Sequence, residues 1–266
     1  MTGDVSAPGA AAAAVQAAVE AAPTSHLHPV GSYDVADHPV PTGREEVWRF
    51  TPIRRLADLL RGGPSGGHLT WKYDLPAGVT VTAIESGAAR ALDPPAPRDR
   101  LAALAVAHGQ GAVLIDVAAE TELAEPVVFR LTGELADQVV WGHVVLRVGR
   151  HATATVVFEH TGTARYASSV SVLVGDGARL DLVSLQLWDD DAIHTGQISS
   201  RVGRDARLRS FSASLGGDLV RLVETAEYAG PGGDVELTGL YFASGRPAPD
   251  ASGPEQHLEH RLFIDH

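Results

Sequence analysis

The chain has 266 residues, 44% of them hydrophobic, and its 33 acidic and 21 basic residues give a formal net charge of -12. That length can bury a sizeable core, and the negative charge disfavours binding to nucleic acid or anionic lipid, because both would repel it. The sequence contains no cysteine, so it offers no disulfide, thiolate nucleophile or sulfur ligand for a metal, and a protein or small-molecule partner fits it better.

Residues 1–42 are rich in Ala, Pro, Gly and Ser and contain few large apolar side chains. Such a composition cannot offset the entropy of ordering, so we expect a disordered tail. Its Ala-rich stretch 10–22 is too short and too weakly hydrophobic to span a bilayer, and it follows Asp4 instead of a basic region. No export signal is visible, and we therefore expect a cytoplasmic protein.

A mixed, partly helical region is predicted over residues 43–110. Thr51 followed by Pro52 is typical of a helix N-cap and first helical position. Apolar residues then recur at helical spacing as far as Leu60, and Gly62 is expected to end the helix.

Short strands and a second helix follow. Residues 68–85 alternate apolar with polar side chains, which is typical of strands. Residues 98–108 place apolar side chains at helical spacing, and Gly109 is expected to stop this helix in a left-handed conformation. From residue 111 onwards the sequence predicts strands alone, so residues 111–266 are expected to form a β core.

Four turns recur in this β core and are its most informative feature. They begin at Gly149, Gly175, Gly203 and Gly230, which lie 26, 28 and 27 residues apart, and each stands between two β-rich runs. Because alternate residues of a strand face opposite sides, equal offsets from successive turns would stack side chains into ladders. Two mostly apolar ladders are predicted, one before and one after the turns: Val148, Val174, Val202 and Ala229, and then Ala154, Leu180, Leu208 and Val235.

The period of the turns indicates the architecture. About 27 residues is too long for the short-repeat β-helices and too short for propeller blades, but it suffices for two or three strands and their turns. We therefore predict a mainly β protein, a right-handed β-helix (solenoid) with about 27 residues per coil and a small N-terminal helical region. The alternative is an antiparallel sandwich, whose short strands also recur with glycine turns.

The densest group of possible metal ligands is His257, Glu259, His260 and His266. Metal binding requires that imidazoles and carboxylates converge on one point. On a strand, His257 and Glu259 share a face while His260 points away, so at most two ligands align. We expect a solvated or interface-facing strand instead of a metal site.

A second candidate is the acidic run Asp189–Asp191 with His194, which could hold a hard cation if backbone carbonyls joined in. No EF-hand spacing surrounds it, so we expect a charged loop between coils. The serines of Ser210–Ser214 lack the Gly-x-Ser-x-Gly elbow of a nucleophile and are expected to line a strand face. The repeat glycines fit neither a Walker A loop nor a dinucleotide fingerprint, so ATP binding by this chain is not expected.

Trp48 and Arg49 are an aromatic ring and a guanidinium that could stack or engage a partner. A structural role is preferred, with Trp48 anchoring the first helix onto the solenoid, because tryptophan buries a large area. The sequence therefore predicts no catalytic, cofactor-binding or metal-binding residue, and we expect a protein that is not an enzyme.

Three parts of the chain resemble the SufB/SufD family of iron–sulfur cluster assembly proteins, and they are most similar to its SufD branch. Together the resemblance covers about residues 30–266. It implies a right-handed β-helix flanked by helices, in agreement with the repeats. The matching parts are Gly43–Leu60 with its run REEVWRFTPI, then Leu101–Gly109 with Val113–Val117 and Glu125–Val127, and finally Leu237–Tyr241 with His257–His266.

The resemblance implies a scaffold subunit of the SUF system that acts with SufB-like and SufC-like subunits, the latter an ATPase. It implies that this chain alone binds no cofactor, and that an iron–sulfur cluster is held only in the complex. Family chains continue for further coils after the position of His266, so we also expect a β-helix core that is incomplete at its C-terminal end.

Two enzyme-like classes are the alternatives to a scaffold. A β-helix carbohydrate-active enzyme would need clustered Asp, Arg and Lys at equal coil offsets, but those offsets carry apolar ladders and Lys72 is the only lysine. A cupin-like metal barrel would need two histidines and a carboxylate on one strand and another histidine later, which this sequence does not supply.

Overall fold

The computed structural model describes residues 30–243 and 255–265, and about 51% of it is strand and about 13% helix. The predicted mainly β class is confirmed. Runs of alternating apolar residues build eleven strands in this described part. In chain order they are β1 (Thr70–Lys72), β2 (Val79–Ile84), β3 (Ala112–Val117), β4 (Val127–Val148), β5 (Thr153–Val174), β6 (Arg179–Trp188), β7 (Ile193–Val202), β8 (Arg207–Ser214), β9 (Leu219–Tyr228), β10 (Asp234–Tyr241) and β11 (His257–Asp265).

Among the described residues, all of the helices lie before β3. Three 3-10 helices span Val35–Asp37, Glu46–Trp48 and Ile53–Leu56, and the α-helices are α1 (Ala57–Arg61), α2 (Ser86–Ala91) and α3 (Arg100–His108). Asp99 caps α3, because its Oδ1 accepts a hydrogen bond from the backbone N–H of Ala102 at 2.9 Å. None of the helices among the described residues is both long and apolar enough to cross a membrane.

The strands from β4 onwards form a solenoid with a front sheet and a back sheet. The first halves of β4 and β5 stack with β6, β8 and β10 in the front sheet, and their second halves stack with β7, β9 and β11 in the back sheet. All of these neighbours pair in parallel, which excludes an antiparallel sandwich. The solenoid has about five turns with a period of about 28 residues, so the predicted β-solenoid is confirmed.

The four glycine turns stack at one corner of the solenoid. The N–H of Gly175 donates to the carbonyl of Val148 at 2.9 Å, and the N–H of Gly203 donates to the carbonyl of Val174 at 2.9 Å. The third residue of every turn has a positive φ, between 51° at Asp205 and 78° at Gly232. The turns therefore share a left-handed third residue, and each bonds to the previous coil.

The predicted ladders are present, with one shift. Ala154, Leu180, Leu208 and Val235 are in register along the front sheet. In the back sheet Val148, Val174 and Val202 are in register, but the next position is Tyr228, where the sequence predicted Ala229. The N–H of Ala229 instead bonds the carbonyl of Val202 at 2.8 Å, as Gly203 bonds Val174, so the fourth turn contains one residue more than the others.

The N-terminal region packs on the outer face of the back sheet. Helix α3 contacts β4, β5 and β7, and a second apolar core lies beneath it. Because this side is covered, β7 and β9 are buried on both faces, whereas β6 and β8 alternate between buried and exposed side chains. The second core contains Trp48, Leu56, Leu59, Leu60, Leu101, Leu104, Ala105, Trp141, Ala167, Ile193 and Leu219.

Three local features differ from the sequence predictions. Residues 1–29 of the predicted tail lie outside the described residues, but residues 31–42 belong to the same unit as the solenoid, and the carbonyl of His38 accepts a hydrogen bond from Arg100 at 2.9 Å. Thr51 does not cap the first helix, because its hydroxyl donates to Glu259 at 2.7 Å. Gly109 is right-handed, and the positive φ falls on Gln110, at 54°.

Candidate functional site

The interior of the solenoid is divided into an apolar half and a polar half. Beside the glycine turns the inward side chains are the aliphatic ladders, whereas beside the opposite corner they are polar and more than nine-tenths buried. The register produces this grouping, because His160 pairs with Gln186, and Gln186 pairs with Ser214 on the next coil. This interior polar cluster comprises His160, Tyr166, Ser168, Ser184, Gln186, Trp188, His194, Ser210, Ser212, Ser214 and Glu224.

Gln186 is the centre of the cluster. Its Oε1 accepts a hydrogen bond from Trp188 Nε1 at 2.7 Å and lies 2.7 Å from His194 Nδ1. Because an amide oxygen can only accept, this short contact assigns the His194 proton to Nδ1, and the 3.3 Å approach of Trp188 Nε1 to the same nitrogen is the weaker contact. The Nε2 of Gln186 lies 3.3 Å from His160 Nδ1, and because an amide nitrogen can only donate, that imidazole nitrogen is an acceptor.

Both imidazoles are held neutral by their surroundings. Burial lowers the pKa of His160 to about 4, against a weaker opposite effect of a backbone hydrogen bond at Leu185. Burial, together with the neighbouring His160, lowers the pKa of His194 well below its usual value. The Nε2 of His194 lies 3.1 Å from Ser168 Oγ, so both of its ring nitrogens have partners. A cavity of about 20 Å³ beside these rings is large enough for one water molecule.

Glu224 is a buried carboxyl group in the next coil of the same cluster. Its Oε2 accepts a hydrogen bond from Ser210 at 2.7 Å, and its Oε1 accepts one from Ser212. Burial raises the pKa of Glu224, and the two serine hydroxyls oppose this effect. The predicted strand-face role of Ser210–Ser214 is confirmed, because its alternate serines bond inward partners.

The structure places the histidines of the last described strand on opposite faces, as predicted. His257 and Glu259 face outwards, with His257 Nε2 3.3 Å from Glu259 Oε2. His260 faces inwards, with its Nε2 2.8 Å from Ser214 Oγ, and His266 lies outside the described residues. Burial opposes ionisation of Glu259, but hydrogen bonds with His257 and Thr51 and the charges of Arg221 and Arg261 together outweigh it and lower its pKa.

The structure separates the acidic run Asp189–Asp191 from His194, the second candidate group of metal ligands. Asp189–Asp191 are exposed in the corner between β6 and β7, which agrees with the predicted charged loop. His194 is 2% exposed inside the solenoid and belongs to the polar cluster, not to this acidic run. In the part of the chain that the structure describes, no group of three or more His, Asp or Glu side chains is arranged to hold a metal ion.

Trp48 is buried beneath the N-terminal region, as its predicted anchoring role requires. Arg49 does not stack on it, and lies instead 5.5 Å from the centre of the exposed Phe50 ring. The cation over Trp48 is Arg221, at 3.7 Å from the ring centre. Sequence reasoning missed this arginine because the contact joins residues far apart in the chain.

Of the two sheets, only the back sheet has its outer face covered by other parts of the described chain. The back sheet lies under the N-terminal region, whereas the front sheet exposes apolar side chains in neighbouring rows. Its charged residues are paired along the stack, with Arg207 3.3 Å from Asp234 and Arg209 3.5 Å from Glu236. The large apolar residues exposed on or beside this front face are Leu187, Phe211, Leu215, Leu240 and Phe242.

These features define the class of the protein: a parallel β-solenoid whose interior is half apolar and half polar, with one sheet covered by an N-terminal helical region and one sheet bare. The family model described as "SUF system FeS cluster assembly, SufBD core domain" matches residues 129–266, more than half of the chain. The chain belongs to the SufBD family of iron–sulfur cluster assembly proteins.

Curated relatives agree with this assignment. An iron–sulfur cluster assembly SufBD family protein of Mycobacterium leprae is 38% identical over 236 residues, which are 88% of this chain and 58% of the relative. Relatives of the same description from Mycobacterium bovis and Mycobacterium tuberculosis are 39% identical over 88% of this chain and 57% of their own length. The chain thus spans less than two thirds of these relatives. No solved structure matches it.

Proposed function

We propose that this chain is a scaffold subunit of a SUF iron–sulfur cluster assembly complex, of the SufD branch, and that it acts with a SufB-like subunit and a SufC-like ATPase in the cytoplasm. The observation that carries the proposal is the match of the SufBD core domain to residues 129–266, which include nearly all of the solenoid. The mycobacterial relatives are also iron–sulfur cluster assembly SufBD family proteins. Family membership also favours this function over a carbohydrate-active enzyme.

The chemistry of the described side chains supports a structural contribution. The sequence has no cysteine, and thiolates are the usual protein ligands of iron–sulfur clusters. The interior imidazoles of His160 and His194 are engaged by Gln186 and Ser168. On this proposal partner subunits supply the thiolate ligands of the nascent cluster, and this chain supplies a rigid surface.

The bare front sheet is the surface that we assign to a partner. Monomeric soluble proteins rarely expose neighbouring rows of apolar side chains, and such patches commonly mark sites of protein interaction. The arginines beside them are already paired with acidic residues, so the face presents little uncompensated charge. A partner with an apolar face of its own, such as another solenoid sheet or an amphipathic helix, fits these properties.

Co-purification tests the proposal. The tagged chain is expressed with SufB and SufC homologues of one organism, and a full-length mycobacterial relative serves as the positive control. We expect the chain to retain the SufB homologue, and acid-labile sulfide and iron to appear only in the complex. Retention of the partners by the control and of neither by this chain would contradict the proposal.

A charge placed on the front sheet tests which surface is used. Phe211→Glu puts a carboxylate among the exposed apolar residues, so we expect it to reduce partner retention at least tenfold. Ala88→Glu adds the same charge on the exposed side of α2 and should leave retention unchanged. Equal retention by both variants would remove the front sheet from the proposed interface.

A further inference from the structure

A cleft of about 340 Å³ lies at the N-terminal end of the solenoid, between β1, β2, the second half of β4 and the end of α3. Its volume is in the range of small-molecule sites, which is about 300–1,000 Å³. Although 20% of the chain is charged, no Asp, Glu, Lys or Arg is present among the described residues that line it. The cleft therefore disfavours phosphates, carboxylates and ammonium groups, because a charge entering it would lose water without gaining an oppositely charged partner from the lining.

Aromatic side chains form much of its wall. Trp71, Trp141 and Tyr166 line the cleft together with His108, whose ring centre lies 5.3 Å from that of Trp141. The indole of Trp141 is fixed, because its Nε1 donates to the carbonyl of Gly63 at 2.8 Å. Rigid rings of this kind bind flat ligands through stacking and edge-to-face contacts.

His143 supplies a hydrogen-bond acceptor in this wall. It is 5% exposed, and its Nδ1 lies 3.1 Å from the carbonyl oxygen of Gly111. Because a carbonyl oxygen can only accept, Nδ1 carries the proton and Nε2 carries a lone pair. Burial lowers the pKa of His143, which keeps the ring neutral at neutral pH. None of the described residues bonds this Nε2.

His108 supplies the complementary group. Its Nε2 accepts a hydrogen bond from the backbone N–H of Gly63 at 3.2 Å. A ring nitrogen that accepts carries no proton, so the proton of His108 lies on Nδ1, for which the described part of the chain contains no acceptor. An uncharged acceptor and an uncharged donor thus stand in one aromatic cleft.

We propose that this cleft binds an uncharged, planar heterocycle that presents an N–H group to His143. The aromatic wall, the absence of lining charges and the unpaired Nε2 of a buried imidazole together select this class of ligand. A metal ion is not favoured, because no group of three His, Asp or Glu ligands converges among the described residues. The inference concerns this cleft alone and does not depend on the proposed function.

A matched pair of probes tests whether the ligand donates an N–H group to His143. 2-Quinolinone is flat and uncharged and carries one N–H, and 1-methyl-2-quinolinone has the same ring system without it. In titrations of the full chain followed by calorimetry, we expect saturable one-to-one binding of 2-quinolinone. The methylated probe should bind about tenfold more weakly, as expected for the loss of one hydrogen bond. No saturable binding of 2-quinolinone, or equal affinities for the two probes, would overturn the proposal.

Two variants with a common control locate the site. Ala83 lines the cleft, so Ala83→Phe should fill it and abolish binding, whereas Thr82→Phe adds the same ring at the adjacent exposed position that does not line it. His143→Phe should remove the difference between the two probes. Thermal unfolding confirms that each variant is folded. Unchanged binding by Ala83→Phe would place the probe elsewhere and overturn the assignment.

Discussion

The guanidinium carbon of Arg221 lies 3.7 Å from the centre of the Trp48 ring, so a back-sheet strand of the solenoid holds the N-terminal region by a cation–π contact. The side chain of Arg221 is only 3% exposed. It also lies 2.9 Å from Asp99 at the start of α3 and 3.9 Å from Glu259 on β11, and it donates to the carbonyl of Val47 at 3.2 Å. One buried cation therefore joins four segments of the chain.

Removing this cation should destabilise the fold strongly. Arg221→Ala leaves Asp99 and Glu259 with less compensation in a buried place, so we expect the free energy of unfolding to fall by about 3–5 kcal/mol. Urea denaturation followed by circular dichroism measures the change. Arg209→Ala is the control, because Arg209 and Glu236 are 51% and 63% exposed, and its loss should be about 0–1 kcal/mol. Similar losses of stability in Arg221→Ala and Arg209→Ala would show that Arg221 does not hold the N-terminal region onto the solenoid.

The stacked turns predict a contrast between two glycines. A Cβ at Gly203 would lie 2.6 Å from Asp176 Oδ1 and 2.9 Å from Asp176 N, so Gly203→Ala should lower the free energy of unfolding by about 1–3 kcal/mol. A Cβ at Gly87 in α2 would meet nothing within 4 Å, so Gly87→Ala should raise it by about 0.4–1 kcal/mol. Thermal melts of both variants test the sign of each change. A stable Gly203→Ala would show that the turns do not stack closely.

The repeat could be predicted from the sequence because a solenoid encodes its contacts in local spacing. Turns at Gly149, Gly175 and Gly203 have equal lengths, so equal offsets led to true neighbours. The predicted back-sheet ladder is wrong at Ala229, because one extra residue in the fourth turn places Tyr228 in register with Val202. Nothing local marks that insertion, since Gly230 and Gly232 both fit the turn pattern.

The polar cluster could have been found from the same offsets. His160, Gln186, Ser214 and Tyr241 each follow their turns at the same distance, and all four are in direct register. Only the apolar ladders were predicted, and this polar column was not among them. Other contacts had no local signal at all, such as the bond from Thr51 to Glu259, which joins residues 208 positions apart.

The neutral imidazole of His160 makes the fold sensitive to acid. Its pKa is about 4 in the folded state, below the usual 6.5, so between these values protons bind the unfolded chain more tightly. Free energy of unfolding should therefore fall as pH drops from 6.5 to about 4, with a slope of at most about 1.4 kcal/mol per pH unit for this group. Urea titrations at several pH values measure the slope.

A variant separates His160 from the other titrating groups. His160→Asn keeps an acceptor near Gln186 but does not titrate, so it should be less stable than the parent at pH 7.5 and show a shallower fall towards pH 4. The same substitution at the exposed His68 should leave the slope as in the parent. An unchanged slope in His160→Asn would mean that water reaches this imidazole in the folded protein.

Glu224 should act in the opposite direction, because burial raises the pKa of an acid. The folded chain holds this proton more tightly than the unfolded chain, so the stability it contributes is present below the usual pKa of 4.5 and is lost as pH rises through the folded value. Glu224→Gln can still bond Ser210 and Ser212 without ionising. Its stability relative to the parent should therefore improve between pH 5 and pH 8.5, whereas Glu236→Gln, at an exposed position, should show no such trend. A constant difference between Glu224→Gln and the parent across this range would show that the carboxyl is already ionised at pH 5 and that the two serines stabilise its charged form.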